Sequence, residues 1–201
     1  MDTQVTTQPI DGAALDQIFR TARTHNGFSG PVTDADLKAI VHLAEMGPTS
    51  MNALPGRFVF VRSDAAKARL KQALAPGNVD KTMGAPVTVI VGHDTRFYDN
   101  LPELFPHMPE AKAMFEGSAE LADATAFRNG SLQGAYFIIA ARALGFDTGA
   151  MSGFDNATLD TLFFPEGQIK SNFLINLGRG DAAKLYPRGP RLGFERSAQI
   201  V

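Results

Sequence analysis

The reactive side chains of this 201-residue chain exclude more chemistry than they offer. Cysteine is absent, which removes disulfides, thiolate metal sites, iron–sulfur clusters and cysteine nucleophiles together. The histidines, His25, His42, His93 and His107, include no pair at the i, i+4 spacing that sets two imidazoles on one helix face, so no metal site is expected. No GxGxxG occurs: Gly178-Arg179-Gly180-Asp181-Ala182-Ala183 lacks its third glycine, and a Walker loop is also missing. The nearest string to GxSxG is Gly149-Ala150-Met151-Ser152-Gly153, with its serine one place late, so a strand end and turn is the better reading. What remains is a set of short polar loops: Arg23-Thr24-His25-Asn26, Pro48-Thr49-Ser50-Met51-Asn52, Gly77-Asn78-Val79-Asp80-Lys81, Ser152-Gly153 and Pro187-Arg188-Gly189-Pro190-Arg191. Taken singly, each is a turn.

These loops lie at the ends of elements that hydrophobic periodicity makes legible. Residues 1–10 are polar and expected to be disordered. Leu15, Ile18, Phe19 and Ala22 predict a first helix running to about Arg23. Thr33 with Asp36 three places on, flanked by Val32 and Leu37, reads as the capping box and hydrophobic staple of a second helix that ends at Gly47-Pro48. Arg57–Val61 is a β-branched and aromatic strand, and Ser63 caps a third helix that stops at Pro76-Gly77. Val87–Val91 is apolar throughout, as in a strand covered on both faces. Prolines at 102, 106 and 109 allow only short helical pieces over Leu101–Met114. A long helix follows over Ala122–Leu144, with Gly145 at C′. Thr148–Met151 and Asn172–Leu177 read as strands separated by a helix over Asn156–Phe163, and the tail after Gly178 is basic and irregular. Four or so strands divided by helices make an α/β or α+β domain with much helix.

Composition bounds the function class. Hydrophobic residues are 44% and charged residues 20%, ordinary for a globular protein. A chain of this length buries roughly 70% of its unfolded surface, which fits one domain over 1–201. Nineteen basic and 21 acidic residues leave a net charge of −2, against the basic footprint of a nucleic-acid binder. The apolar run Ala135–Ala141 meets Arg142 far short of the roughly 20 residues a membrane span needs. Met1-Asp2-Thr3-Gln4 opens no signal peptide, so a soluble cytoplasmic protein is expected.

The wording of the loops, taken together, resembles the FMN-dependent nitroreductase family. The strings are Ala22-Arg23-Thr24-His25-Asn26-Gly27, Gly47-Pro48-Thr49-Ser50, Thr125-Ala126-Phe127-Arg128-Asn129 and Met151-Ser152-Gly153-Phe154-Asp155. They resemble most the branch of malonic semialdehyde reductases of pyrimidine degradation, over about Leu15 to Ile200. The resemblance implies an α+β three-layer sandwich, a central mixed or antiparallel sheet flanked by helices, and an intertwined homodimer with FMN at the subunit interface. By position, Arg23, Thr24, His25 and Asn26 match the family's phosphate and ribityl contacts, and Arg191 its C-terminal phosphate arginine, with Arg188 a weaker candidate. Pro48, Thr49, Ser50 and Asn52 match the loop beside the flavin. Asn78 and Lys81 match the pair that brackets its pyrimidine edge, and Ser152 and Gly153 lie near N5. A phosphate wants guanidinium and hydroxyl donors, and a cation beside N1 and O2 favours the reduced flavin. The chain departs from the commoner pattern at Leu54 and Gly56 around Pro55, at Ser152 in place of a glutamate, and at Ala22 in place of an arginine.

The resemblance therefore implies an NAD(P)H-dependent flavin oxidoreductase working by ping-pong hydride transfer through flavin N5. NADPH or NADH would be the donor, and 3-oxopropanoate the acceptor, giving 3-hydroxypropanoate. Lys81 and Gly153 would lend electrostatic support, Arg128 is a candidate for the substrate carboxylate, and Tyr98, His93 and His107 are candidate proton donors. A broad nitro or quinone reductase with a pocket lined by aromatics such as Phe97 or Phe127, and a flavin-binding protein without turnover, are the alternatives.

Overall fold

The computed structural model describes residues 8–201, so the expectation of disorder at the N-terminus falls mostly outside the described residues. Residues 8–10 carry no regular structure, and Asp11 caps α1 (Gly12–Leu15) by accepting from the Ala14 N–H at 2.7 Å. The first helix ends earlier than its periodicity suggests. A π-helical turn, Asp16–Arg20, closes it, because both the Thr21 N–H and the Thr21 hydroxyl donate to the Asp16 carbonyl. Arg23 consequently sits beyond the helix, in an extended segment that leads to β1 (Phe28–Ser29).

Local capping chemistry sets the next elements. Thr33 and Asp36 form the reciprocal capping box of α2 (Asp34–Ala44), with Val32 and Leu37 both buried as the staple. β2 (Gly56–Val61) leads to Ser63, whose hydroxyl accepts from the Ala66 N–H to start α3 (Asp64–Lys71). The segment 77–81, read from sequence as a loop, is largely helical: α4 is Val79–Met83, after one 3-10 turn. β3 runs over Val87–Asp94 and is buried along its whole length. Two short helices, α5 (Leu101–Leu104) and α6 (Ala111–Glu116), precede α7 (Ala119–Ala143), the long helix expected. Gly145 lies at φ +78°, and the Phe146 N–H reaches the Ala141 carbonyl while the Gly145 N–H reaches Arg142, a Schellman stop. β4 (Asp147–Met151), α8 (Asn156–Phe163) and β5 (Ile169–Gly180) follow, then an exposed tail with one turn of helix, α9 (Phe194–Ser197).

The strands pair in the order β2-β3-β5-β4, every neighbour antiparallel, and β1 pairs with the far end of β5 at Phe28↔Gly180. Helices cover both faces, so the architecture is a three-layer α+β sandwich. Val87, Val89 and Val91 point to one layer, where α2 and α7 bury Ile40 and Phe137. Ile90 and Leu174 point to the other, against Leu70 of α3 and Leu159 of α8. Phe137 contacts Phe58 and Phe60 at ring separations of 5.1 and 6.2 Å, and truncating so buried a ring costs about 3–5 kcal/mol. α7 comes close to the sheet because Gly134 has no side chain: a Cβ there would stand 2.5 Å from Phe173 and 3.1 Å from Val91. A third cluster under α5 and α6 encloses Phe97, which is fully buried there, packed against Phe115 and Tyr98 rather than open to a ligand.

Candidate functional site

The extended segment after α1 and the C-terminal tail meet over the end of α7. Arg23, Thr24, Arg142, Arg188 and Arg191 line one cavity of about 420 Å³, and no acidic residue among those described lines it. Arg188 donates to the carbonyls of Arg20 and Ala22, both at 2.9 Å, and Arg23 donates to the Tyr186 carbonyl, so two guanidinium groups tie the tail to this segment. Among the described residues, Arg191 donates only to the neighbouring carbonyls of Gly189 and Pro190, at 2.9 and 3.3 Å. Arg142, half-buried in the last turn of α7, donates to the Ile18 carbonyl at 3.2 Å. Burial depresses its guanidinium pKa from the ordinary value, with Asp147 opposing and Arg188 adding to the shift. Four guanidinium groups around one concavity form a receptor for a doubly charged, oxygen-rich anion.

A second cavity of about 430 Å³ adjoins it, since Asn26 and Tyr186 line both. Lys81, on α4, lines this second space together with Gly27, Asp80 and Lys184. Asn78, at the start of α4, donates from Nδ2 to the Gly153 carbonyl at 2.7 Å, and the Ala75 N–H donates to the same oxygen at 3.0 Å. A Cβ at position 153 would stand 2.5 Å from Asn78 Nδ2, so a side chain there would displace that amide. Ser152 and Gly153 line a further hollow of about 500 Å³ just beyond β4. One chain thus gathers Arg23, Thr24, Asn26 and Arg191 around one cavity, Lys81 in the next, and Asn78 against Gly153.

His25 stands among these residues but turns away from them. Its ring is buried, with Nε2 3.3 Å from Asp147 Oδ1, and it lines neither cavity. The ring lies directly over Gly180, where any Cβ would overlap it, and its Nδ1 has no partner among the described residues. The main chain of His25 does the positioning: its N–H donates to the Thr148 carbonyl at 3.1 Å and fastens the segment to β4.

The loop from Pro48 to Asn52 is held elsewhere. The Ser50 N–H donates to Asn129 Oδ1 at 2.8 Å, the Gly56 N–H to Gln133 Oε1 at 2.6 Å, and Asn52 to the Leu104 carbonyl at 3.0 Å. Met51, Asn52 and Leu54 lie at φ +52°, +49° and +41°, a left-handed region that costs a non-glycine residue about 1–2 kcal/mol. Such strain is maintained because buried amides of α7 over-determine the loop. No hydrogen bond or cavity among the described residues joins Pro48, Thr49, Ser50 or Asn52 to the Arg23–Asn26 segment or to Lys81. Close to this loop, Phe127 is 54% exposed and meets the His93 ring edge-on at 5.7 Å. Burial pushes the His93 imidazole pKa below its ordinary value, against the opposing charges of Asp123 and Asp160. Arg128 is exposed and makes no hydrogen bond among the described residues, while Tyr98 packs on Phe97 and His107 on Phe105.

Sequence reasoning missed Arg142, Tyr186 and Lys184. A cation in a last helical turn already has a local partner in the helix dipole, which hides a second role. No signal in the sequence marked Tyr186 or Lys184.

The sequence profile described as the Nitroreductase family matches residues 29–179. A provisionally named NADH dehydrogenase/NAD(P)H nitroreductase of Burkholderia lata is 57% identical over 192 residues, covering 95% of this chain and 98% of that protein. One of the same name from Stenotrophomonas maltophilia is 58% identical over 193 residues, 96% of this chain and 98% of its own length. Among solved structures, a nitroreductase of Exiguobacterium sibiricum in complex with FMN superposes with a TM-score of 0.84 at 20% identity, covering 98% of this chain and 100% of that one. A nitroreductase of Bacillus subtilis gives 0.85 at 22% identity, with 94% and 99% covered. With this sandwich and with relatives matching from end to end, the chain belongs to the nitroreductase family.

Proposed function

We propose that residues 1–201 form one FMN-binding domain of a homodimeric, cytoplasmic NAD(P)H oxidoreductase. The observation that carries this reading is the cavity of Arg23, Arg142, Arg188 and Arg191, lined by no acid among the described residues, opening onto the cavity of Lys81. Its donor set suits a phosphate at one end and an electron-rich ring edge at the other. Arg23, Thr24, Arg142, Arg188 and Arg191 would hold the phosphate, Asn26 the polyol chain, and Asn78 and Lys81 the pyrimidine edge. His25 would act through its backbone and through the burial of its ring. Gly153 would present its N–H, and Ser152 its hydroxyl, near the reacting edge.

FMN, when bound, accepts hydride from a reduced nicotinamide and returns it to an oxidised substrate. The chain's own part is orientation and charge. Lys81 opposes the negative charge that develops near it, and the guanidinium cluster anchors the far end against rotation. Pro48, Thr49, Ser50 and Asn52 lie on a separate surface of the same chain, so a second copy is the natural source of the loop that closes the site. Apolar side chains left open on α2 and α7, Leu43, Leu132 and Tyr136 among them, support such a dimer.

For the substrate, the loop strings favour 3-oxopropanoate, reduced to 3-hydroxypropanoate in pyrimidine degradation, with exposed Arg128 available for its carboxylate. A broad nitro or quinone reductase is the second reading, favoured by the open aromatic face of Phe127 and by the relatives' names. The deciding experiment is a visible spectrum of purified protein, then anaerobic reduction by NADH or NADPH, then reoxidation by 3-oxopropanoate, a nitroarene or a quinone. Flavin that is bound, bleached by nicotinamide and restored faster by 3-oxopropanoate than by the others supports the first reading. Faster restoration by the nitroarene or quinone selects the second. A colourless protein that takes up no FMN overturns both.

A further inference from the structure

The helix that carries Lys81 cannot hold itself. α4 has five residues, and isolated helices shorter than about 12 residues are marginal in water. Its C-terminal carbonyls are closed by a side chain from another helix. The ammonium of Lys67, on α3, donates to the carbonyls of Thr82 at 3.1 Å and Met83 at 3.3 Å, and closely to that of Ala85. Lys67 is only 5% exposed, and no carboxylate among the described residues accepts from it. An ammonium has three N–H donors, so each meets a main-chain oxygen. Burial lowers the pKa of this amine, with only Asp64 opposing the shift. A second buried group grips the same turn from the sheet. Asn176 Nδ2 donates to the carbonyl of Lys81 itself at 3.2 Å, and Asn176 Oδ1 accepts from Thr88 at 2.8 Å. Neither Lys67 nor Asn176 lines the cavity that Lys81 faces.

A buried ammonium is a costly addition to a helix end that Gly84 already closes, its N–H donating to the Asp80 carbonyl at 3.0 Å. Its geometry has a consequence that an apolar residue would lack: three carbonyls on one turn are drawn to a single point. We propose that Lys67 and Asn176 are positioning residues, which lock α4 between α3 and β5 so that Lys81 projects at a fixed place in the cavity it shares with Asn26. The inference rests on the cofactor role assigned to Lys81 above, and adds the reason that Lys81 can fill it from so short a helix.

A double-mutant cycle tests this. Lys67→Met, Lys81→Met and the double variant are purified, and FMN affinity by fluorescence titration and flavin midpoint potential are measured for each. Lys67→Met should weaken FMN binding several-fold and lower the potential in the same sense as Lys81→Met. The double variant should match Lys81→Met within about twofold, since one residue acts through the other. In the apoprotein, the amides of residues 79–83 should exchange faster in Lys67→Met, and Lys67→Arg should restore part of the loss. Should Lys67→Met fail to fold, Asn176→Ala enters the same cycle. Independent effects that multiply, or a lowered melting temperature with affinity and potential unchanged, overturn the positioning role alone. An unaltered Lys81→Met overturns the role of Lys81 and the positioning role with it.

Discussion

Arg191 separates cofactor binding from folding more cleanly than any other residue of the site. Among the described residues its guanidinium donates only to carbonyls of its own tail, at Gly189 and Pro190. Arg191→Ala therefore breaks no hydrogen bond between elements among the described residues, and stability should move by less than about 0.5 kcal/mol. A hydrogen bond from a guanidinium to phosphate contributes about 1.5–3 kcal/mol, and the exposure of Arg191 places it at the lower end. About 1.5 kcal/mol is roughly a tenfold change in Kd. The assay is a fluorescence-quenching titration of apoprotein with FMN and, in parallel, with riboflavin, which has the same ring system and no phosphate. The FMN Kd should rise about tenfold and lose part of its salt dependence, while the riboflavin Kd and the melting temperature stay constant. Equal losses for the two ligands, or none, would refute the assignment of this cavity to a phosphate. Arg188→Ala is the internal contrast. That guanidinium also holds the carbonyls of Arg20 and Ala22, so FMN affinity and thermal stability should fall together.

Gly180→Ala would place a methyl group inside the buried ring of His25. Overpacking of that kind costs about 1–3 kcal/mol, so the melting temperature should drop by roughly 2–12 °C, and an unchanged value would show that the ring can move aside. The buried His93 has a depressed pKa in the folded state. The unfolded chain therefore binds a proton first, and stability is lost as pH falls from about 6.5 toward the lower folded value. Urea midpoints at pH 7.5 and 5.5 should show this loss, and His93→Phe should flatten it; an identical slope in the variant would assign the acid limb to other groups.

What could be read from the sequence was chemistry that completes itself within a few residues. Thr33 with Asp36, Ser63, and Gly145 each satisfy their helix ends locally, and the elements they bound lie where periodicity placed them, apart from the early stop of α2 and α3. β3 was legible because a strand buried on both faces has no polar alternation to disguise it. α4 was not. Gly77 and Asn78 lead into it, its length is five residues, and what holds it comes from Lys67 and Asn176, distant in sequence. The early end of the first helix turns on one threonine hydroxyl, which competes for the Asp16 carbonyl that a longer helix would have used. Within the site, residue types announced the donors but not their directions. His25 belongs to the right segment and faces the core, whereas Arg142 belongs to a helix that looked merely structural and faces the cavity. The Pro48–Asn52 loop presents a subtler case, because its left-handed residues are neither glycine nor, at Met51 and Leu54, the usual exceptions. That strain depends on Asn129 and Gln133, and no local pattern could reveal it.

Complementation between two defective chains tests most directly whether the flavin site is built from two copies. One variant carries Lys81→Ala, the other Ser50→Ala with Asn52→Ala, and the two are unfolded together and refolded as a mixture. In a mixed dimer one site collects both defects and the other neither, so about a quarter of all sites should regain full flavin reduction by NAD(P)H if chains pair at random. A mixture no more active than the average of its two parents would place every cofactor contact within one chain and contradict the shared site.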